Sequence, residues 1–395
     1  MRLGLFFLAI LPAAAFSATA QTAPDAGTQV VVAQDRAADV KLAFTRAEHL
    51  KHGINASSWF AQSGDYSAKA TDSYTDDADI ALMAKLGFDH VRVSIDPVPL
   101  AMSMFGRPGA NNDFLPRLDH AIDTMLANGL AVIVDVHPMD DYKQRLRTDD
   151  GAVDRFTMLW RRLAAHEANR DPNMVFFEIM NEPEISDDYR WAGIQQRVAA
   201  AIRDAAPHHT IIAAGAMWSD IWNLLALQPL ADGNVIYNFH FYEPHEFTHQ
   251  GATWSVPYWS YLHGVPYPSA ESSMQDVVNE VPDAVNRYQM QKYFLDGWNA
   301  HRIQVMMDDA AAWAREYQVP LICNEFGVIR GAPGRGPDAD SRANWLHDVR
   351  TALEADGIGW AMWDYRGGFG VVTKENGQPA QADDSVVKAL GLQAH

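Results

Sequence analysis

An alternation constrains this chain more than any other feature. Short, nearly continuous apolar runs are separated by stretches of helical periodicity from about Phe44 to the C-terminus. The runs are Gly53-Ile54-Asn55, Val91 to Ile95, Ala131 to Val136, Val175 to Met180, Thr210 to Ala213, Val235 to Phe241, Leu321 to Asn324 and Ile358 to Trp363. A strand with one face in water alternates apolar and polar residues, whereas a strand covered on both faces does not. These runs therefore read as parallel strands sheathed by helices. Leu115, Leu118, Ile122 and Met125 mark one amphipathic face, and Phe156, Leu159, Trp160 and Leu163 mark another. Asp296 to Tyr317 and Ser341 to Ala355 read as two later helices. Eight strands alternating with helices predict an α/β fold, a single-domain (β/α)8 TIM barrel. An open doubly wound sheet is the competitor, but no Gly-rich phosphate loop follows the first strand.

The regions outside the alternation read differently. Arg2 followed by an apolar run, with Ala18-Thr19-Ala20 as a small-x-small site, predicts a signal peptide over residues 1–20. Residues 21–43 are polar, Ala-rich and aperiodic and read as a leader or linker, leaving 44–395 as the (β/α)8 domain. Export to the periplasm or the medium follows, with no membrane attachment after cleavage. The formal net charge of −19 repels nucleic acid and anionic membranes but does nothing against a neutral polymer. The single cysteine, Cys323, excludes an intramolecular disulfide and reads as strand packing. Nothing in the composition specifies an oligomer, and a monomer is expected.

In a barrel of this type the C-terminal ends of the strands converge on one cleft. Read in order, those ends carry Arg92, His137, Asn181, Glu182, His240, Tyr242, Glu325 and Trp363. Taken singly, each has a structural explanation, such as a buried ion pair or a hydrogen-bonded core histidine. Together they form a chemical set. Glycoside hydrolysis needs one carboxylic acid to protonate the leaving oxygen and one carboxylate to attack or to activate water. Arg92 and the Tyr242 hydroxyl suit Glu325 as the ionised partner. Partial desolvation opposite another carboxylate suits Glu182 as the protonated one. Asn181 offers an amide for a sugar 2-hydroxyl, and Trp363 a flat apolar face for a sugar ring.

Five segments then carry a resemblance: Val134-Asp135-Val136-His137, Asn181-Glu182-Pro183, Asn238-Phe239-His240-Phe241-Tyr242-Glu243-Pro244, Asn324-Glu325-Phe326-Gly327 and Trp360-Ala361-Met362-Trp363-Asp364-Tyr365. In that order they resemble glycoside hydrolase family 5, a family of retaining β-glycanases, across nearly the whole mature chain. The resemblance implies Glu182 as general acid/base and Glu325 as nucleophile, with a covalent glycosyl-enzyme intermediate and net retention. It places Arg92, His137, Asn181, His240, Tyr242 and Trp363 around the reacting sugar, with no metal or organic cofactor. One departure is Pro138, where many relatives carry a second polar or His residue after the position of His137.

The substrate reading rests on loop aromatics. Trp59 after the first strand, Trp218 after the fifth, and Trp254 and Trp259 in the long segment from about Pro244 to Gln291 are candidate stacking platforms for successive rings. That segment, with Tyr258, Tyr261 and Tyr267, reads as a functional loop on the top face. Phe247-Thr248-His249-Gln250-Gly251-Ala252-Thr253-Trp254 resembles a segment of bacterial endoglucanases. The expected substrate is a polysaccharide or oligosaccharide of the cellulose type, cut internally at β-1,4 bonds. The rivals are β-mannan, xyloglucan or β-1,3-glucan with the same mechanism, and a non-catalytic periplasmic sugar-binding barrel. A metal hydrolase is disfavoured: His245 and His249 have helical spacing, but no His-Glu-x-x-His run exists.

Overall fold

The computed structural model describes residues 26–106, 113–331 and 335–393, with side chains from residue 36 onward. Eight parallel strands close into a barrel in sequence order: β1 (His52–Phe60), β2 (His90–Ile95), β3 (Ala131–Val136), β4 (Val175–Glu178), β5 (Thr210–Ala214), β6 (Val235–Phe241), β7 (Leu321–Phe326) and β8 (Gly359–Met362). Pairing of His52 with Trp360 and of Ile54 with Met362 closes the ring between β1 and β8. All eight expected strands are present. The expected helices run Phe114–Ala127, Asp150–Glu167, Ala300–Tyr317 and Ala339–Ala355.

The two-residue period of the strands sorts their side chains into two compartments. Val132, Val134, Val136, Phe177, Ile211, Phe239 and Cys323 point outward into the large core between sheet and helices. Ala131, Ile133, Phe176, Ile212, Ile236 and Ile322 point inward and, with Leu50, form a separate apolar plug at the start of the strands. One step further along, the inward positions change character. Asn55, Arg92, Asp135, Glu178, Asn238 and Asn324 are all fully buried. Buried charge is costly unless paired, so this polar layer must be internally matched.

Two strands depart from regular register, and both departures aim side chains. In β7, Phe239 pairs with Cys323 but His240 pairs with Glu325, so Asn324 is an extra residue. Such a bulge turns two successive side chains to the same face. Asn324 and Glu325 accordingly both reach polar groups inside the barrel. In β1 the register shifts between Ala56 and Phe60, where Ser58 has φ 51°.

Part of the acid excess is architectural. Asp76, Asp96, Asp149, Asp187, Asp220 and Asp338 each cap a helix by accepting from a first-turn amide. A cap of this kind stabilises by about 1 kcal/mol.

Two segments differ from the sequence reading. The expected leader contains a helix, Ala26–Ala47, so the boundary placed at residue 44 falls inside it. Its second half docks on the barrel through arginines rather than an apolar stripe, which is why its periodicity is faint. Arg46 donates to Asn173 Oδ1 and Thr210 Oγ1, both at 3.1 Å, and Arg36 to the Leu230 carbonyl at 3.3 Å. The signal-peptide reading of residues 1–20 lies outside the described residues. The second segment, 244–291, is a packed helical insertion rather than an open loop. It carries helices His245–Thr248 and Met274–Glu280, two 3-10 turns and the start of helix Ala284–Leu295. Phe247, Tyr258, Trp259, Leu262, Val265 and Tyr267 are buried within it. Among the described residues, no helix is long and apolar enough to cross a membrane.

Candidate active site

The site is built on Arg92, whose guanidinium lies inside the barrel with no exposure. Its Nε and Nη2 donate to Glu178 Oε2 and Oε1 at 2.7 and 2.8 Å, a bidentate pair. Nη1 donates to Asn55 Oδ1 at 2.9 Å and to Glu325 Oε1 at 2.7 Å, and Nη2 also reaches Asn181 Oδ1 at 2.9 Å. Asp135 Oδ2 lies 3.1 Å from Nη2. Below, Asn324 Nδ2 and Asn238 Nδ2 donate to the Glu178 carboxylate at 2.7 and 3.1 Å. Three carboxylates around one guanidinium hold Arg92 firmly cationic. Burial, only partly offset by Arg92, pushes the Asp135 carboxyl up to about 6.

Glu325 is held at both oxygens. Besides Arg92 on Oε1, the Tyr242 hydroxyl donates to Oε2 at 2.9 Å. Both contacts expected from the sequence are present. Burial and the Glu325 charge push the Tyr242 hydroxyl well above its usual range, so it remains a donor. The carboxylate is 4% exposed and can serve as a fixed anion.

Glu182 has a different setting. It lies four residues beyond β4, in a loop whose backbone is tied to neighbouring strands by Asn181 N–H to Val136 O at 2.9 Å and Glu184 N–H to Met217 O at 2.7 Å. Its φ is 39°, and Glu184 follows at φ 54°, both in the left-handed region that non-glycine residues seldom occupy. Such strain persists only where surrounding contacts impose it, and it concentrates at functional sites. The Glu182 side chain keeps 24% exposure, which leaves it open to water from above. Burial of the charged form raises its carboxyl above the ordinary range, with Lys143 and His137 opposing.

His240 bridges the two acids, with Nδ1 at 3.0 Å from Glu182 Oε1 and 3.6 Å from Glu325 Oε2. One oxygen of each carboxylate and this nitrogen lie within 4.8 Å of one another. Burial lowers His240 to about 4 and His137 to about 3, so both imidazoles are neutral near pH 7. The network assigns the His137 tautomer: Nδ1–H donates to Asp135 Oδ2 at 2.9 Å, and Nε2 accepts from Asn181 Nδ2 at 3.1 Å. Asn181 is thereby oriented from both sides. Trp363 directly follows β8 and is joined to Asp364 by a cis peptide; its ring lies near-parallel to His137 at 5.7 Å. It forms an apolar wall of the cleft.

Of the other aromatics, Trp254 is 61% exposed and lies 6.5 Å from His249, whose ring meets Tyr242 at 5.2 Å. It stands at the rim of the cleft. Trp218 is also exposed, on the loop after β5. Trp59 is a correction: it is buried, and its indole N–H donates to the Thr71 carbonyl at 3.0 Å. The register shift in β1 seats it beside helix Ala68–Tyr74, where it lines a cavity with Thr71, Asp113 and Arg117 that includes neither Glu182 nor Glu325. Trp259 is likewise buried, stacked on His245 at 5.5 Å.

Sequence reasoning did not single out Glu178, Asn55, Asp135, Asn238 or Asn324 as site residues, although each lies inside a strand run or motif. The signal was available as one polar residue in the middle of an apolar run. A fully buried polar residue there requires a partner. Lys143 and Glu184, which flank Glu182, carried no comparable signal.

Metal-ligand geometry arises twice among the described residues. One cluster is Glu182, His240 and Glu325, where the Arg92 cation already neutralises Glu325. The other is Asp119, His166 and Glu167 on the outer helices, where the Arg170 guanidinium pairs with Asp119 and Glu167.

Comparison with known proteins gives concordant results. Residues 51–368 match the family described as Cellulase (glycosyl hydrolase family 5). Endoglucanase 3 of Fibrobacter succinogenes is 28% identical over 363 residues, covering 87% of this chain and 53% of that protein. The chain thus spans about half the length of that relative. Endoglucanase C of Acetivibrio thermocellus is 29% identical over 322 residues, covering 80% of this chain and 91% of that protein. A crystal structure of a hyperthermophilic endo-β-1,4-glucanase in complex with substrate superposes with a TM-score of 0.70 at 25% identity, covering 88% of this chain and 99% of that one.

Proposed function

The chain belongs to glycosyl hydrolase family 5, and from that premise we propose that it is an endo-acting β-1,4-glucanase that cleaves cellulose-like chains with retention of anomeric configuration. The observation that carries the mechanism is the separation of the two acids, with oxygens of Glu182 and Glu325 within 4.8 Å. Retaining enzymes hold their carboxyls roughly 5 to 5.5 Å apart, whereas inverting enzymes need about 6.5 to 9.5 Å to admit water between them.

In the first step a Glu325 oxygen attacks the anomeric carbon while the bond to the leaving oxygen breaks. Glu182, whose charged form burial disfavours, gives its proton to that oxygen. In the second step Glu182, now ionised, takes a proton from water as the water oxygen displaces Glu325. The Asn181 amide, fixed by Arg92 and His137, stands ready for the sugar 2-hydroxyl, a contact that strengthens as the transition state gains positive charge. Trp363 faces the apolar side of the sugar ring, and exposed Trp254 and Trp218 favour a substrate longer than a disaccharide. The names of the two relatives and of the substrate complex point the same way. Residues 1–20 are best accounted for as an export signal, which places the enzyme where polysaccharide is found.

The test is hydrolysis of carboxymethylcellulose, with viscosity and new reducing ends followed together. A steep fall in viscosity with few new ends is expected. Turnover of β-mannan, xyloglucan or β-1,3-glucan in its place overturns the substrate assignment and keeps the mechanism. No hydrolysis of any β-glycan by the folded protein overturns both.

A further inference from the structure

Behind Glu182 lies an ion pair that the double displacement does not use. Lys143, on helix Asp140–Thr148, is 4% exposed, and its Nζ donates to Glu184 Oε1 at 2.9 Å. Arg147, one turn further along that helix, reaches Glu184 Oε2 at 3.3 Å. Glu184 is two residues beyond Glu182 in the same loop, and its own N–H is bonded to Met217 O. The loop bearing the acid is thus clamped to a helix on one side and to the β5 loop on the other. Burying a lysine is expensive, and one carboxylate partner seldom accounts for it. Here the ammonium has a second role to fill, because it lies close enough to act on Asp135, His137 and Glu182 together.

We propose that Lys143 and Glu184 are positioning residues for the proton donor: their ion pair holds Glu182 in its left-handed backbone conformation, and their opposed charges set the field in which it gives up its proton. This rests on the reading of Glu182 as the general acid. The charged and titratable groups that face Glu182 come from several elements. They are Lys143 from its helix, Glu184 from its own loop, Asp135 from β3 and His137 just beyond it, Arg92 from β2, His240 from β6 and Tyr242 just beyond it, and Glu325 from β7. His137 and His240 are neutral near pH 7, and Arg92 is matched by its own carboxylates, leaving Lys143 and Glu184 as the adjustable terms. Lys143 lowers the Glu182 carboxyl and Glu184 raises it.

The two halves of the pair therefore have opposite signatures. The alkaline limb of kcat/KM reports the free enzyme's essential acid. Lys143→Met removes a cation, which moves that limb to higher pH. Glu184→Gln removes an anion and leaves Lys143 unopposed, which moves it to lower pH. At the pH where the wild type retains half its maximal kcat/KM, Lys143→Met keeps more than half of its own maximum and Glu184→Gln less. Lys143→Arg keeps the charge and restores the wild-type limb.

A clamp with only a structural role lowers kcat in both variants and leaves the limb in place. That result, or limbs shifting in the same direction, overturns the proposal. Glu182→Ala is assayed alongside on aryl cellobiosides with good leaving groups and on cellooligosaccharides. If it loses both activities equally, the assignment of Glu182 as acid fails, whatever the pair variants do. If it spares the aryl substrate while the limbs stay fixed, only the role of the pair fails.

Discussion

The ends of β4 and β7 each deliver one carboxylate to the cleft, and they do so by opposite means. At β7 the acid is still part of the sheet. Glu325 points inward at a bulge, and Arg92 and Tyr242 occupy both of its oxygens at 2.7 and 2.9 Å. At β4 the sheet stops at Glu178, and the acid rides on a loop four residues further on, with φ 39° and 24% side-chain exposure. The difference follows from the two tasks. A nucleophile must keep one charge state and one position, which a saturated lattice of donors enforces. An acid/base must exchange a proton with solvent in every cycle, so it needs a raised carboxyl and access to water.

Mutations can break this asymmetry in graded fashion. The largest effect is expected from Glu325→Ala, which removes the bond-forming group. Turnover should fall by on the order of 10⁴-fold or more, with folding and ligand binding retained. Residual activity of a few per cent in steady-state assays sinks the nucleophile assignment. Glu182→Ala should cost about 10²- to 10⁴-fold on cellooligosaccharides and far less on activated aryl glycosides. A ratio of the two losses near unity reassigns it.

Third comes Glu178→Ala, which tests the lattice beneath β7 rather than the chemistry. It strips the bidentate partner from a fully buried guanidinium and should lower unfolding free energy by about 3 kcal/mol in urea titrations. An unchanged midpoint means that Asp135 and Glu325 suffice for Arg92. The smallest effect is expected from Tyr242→Phe, which removes one donor from Glu325 and leaves Arg92 in place. A loss of about tenfold in kcat matches a single hydrogen bond to a charged group. A loss as large as that of Glu325→Ala gives Tyr242 a part in the chemistry itself.

The same contrast governs what the sequence made legible. The eight strands were visible because burial on both faces leaves continuous apolar runs, a local property. The polar strand ends were visible because their position in a barrel is fixed by topology. The layer beneath them was not. Arg92 and Glu178 are partners 86 positions apart, and nothing local to either names the other. Trp59 failed for a related reason: it follows the same strand-end pattern as Trp363, but a register shift in β1 turns it toward a helix. The helix Ala26–Ala47 was missed because arginines bonded to distant carbonyls anchor it, and hydrophobic periodicity does not report such contacts.

The bulge in β7 lets two successive side chains of one strand face the barrel interior. Cys323 and Phe326 point outward, and between them Asn324 and Glu325 both point in. Removing Asn324 would restore the regular alternation and keep Glu325 inward opposite His240, but it would take away the amide that donates to Glu178 Oε2 at 2.7 Å. The extra residue therefore works as an insertion that gives the buried acid beneath the cleft its own donor while the nucleophile keeps its place beside it.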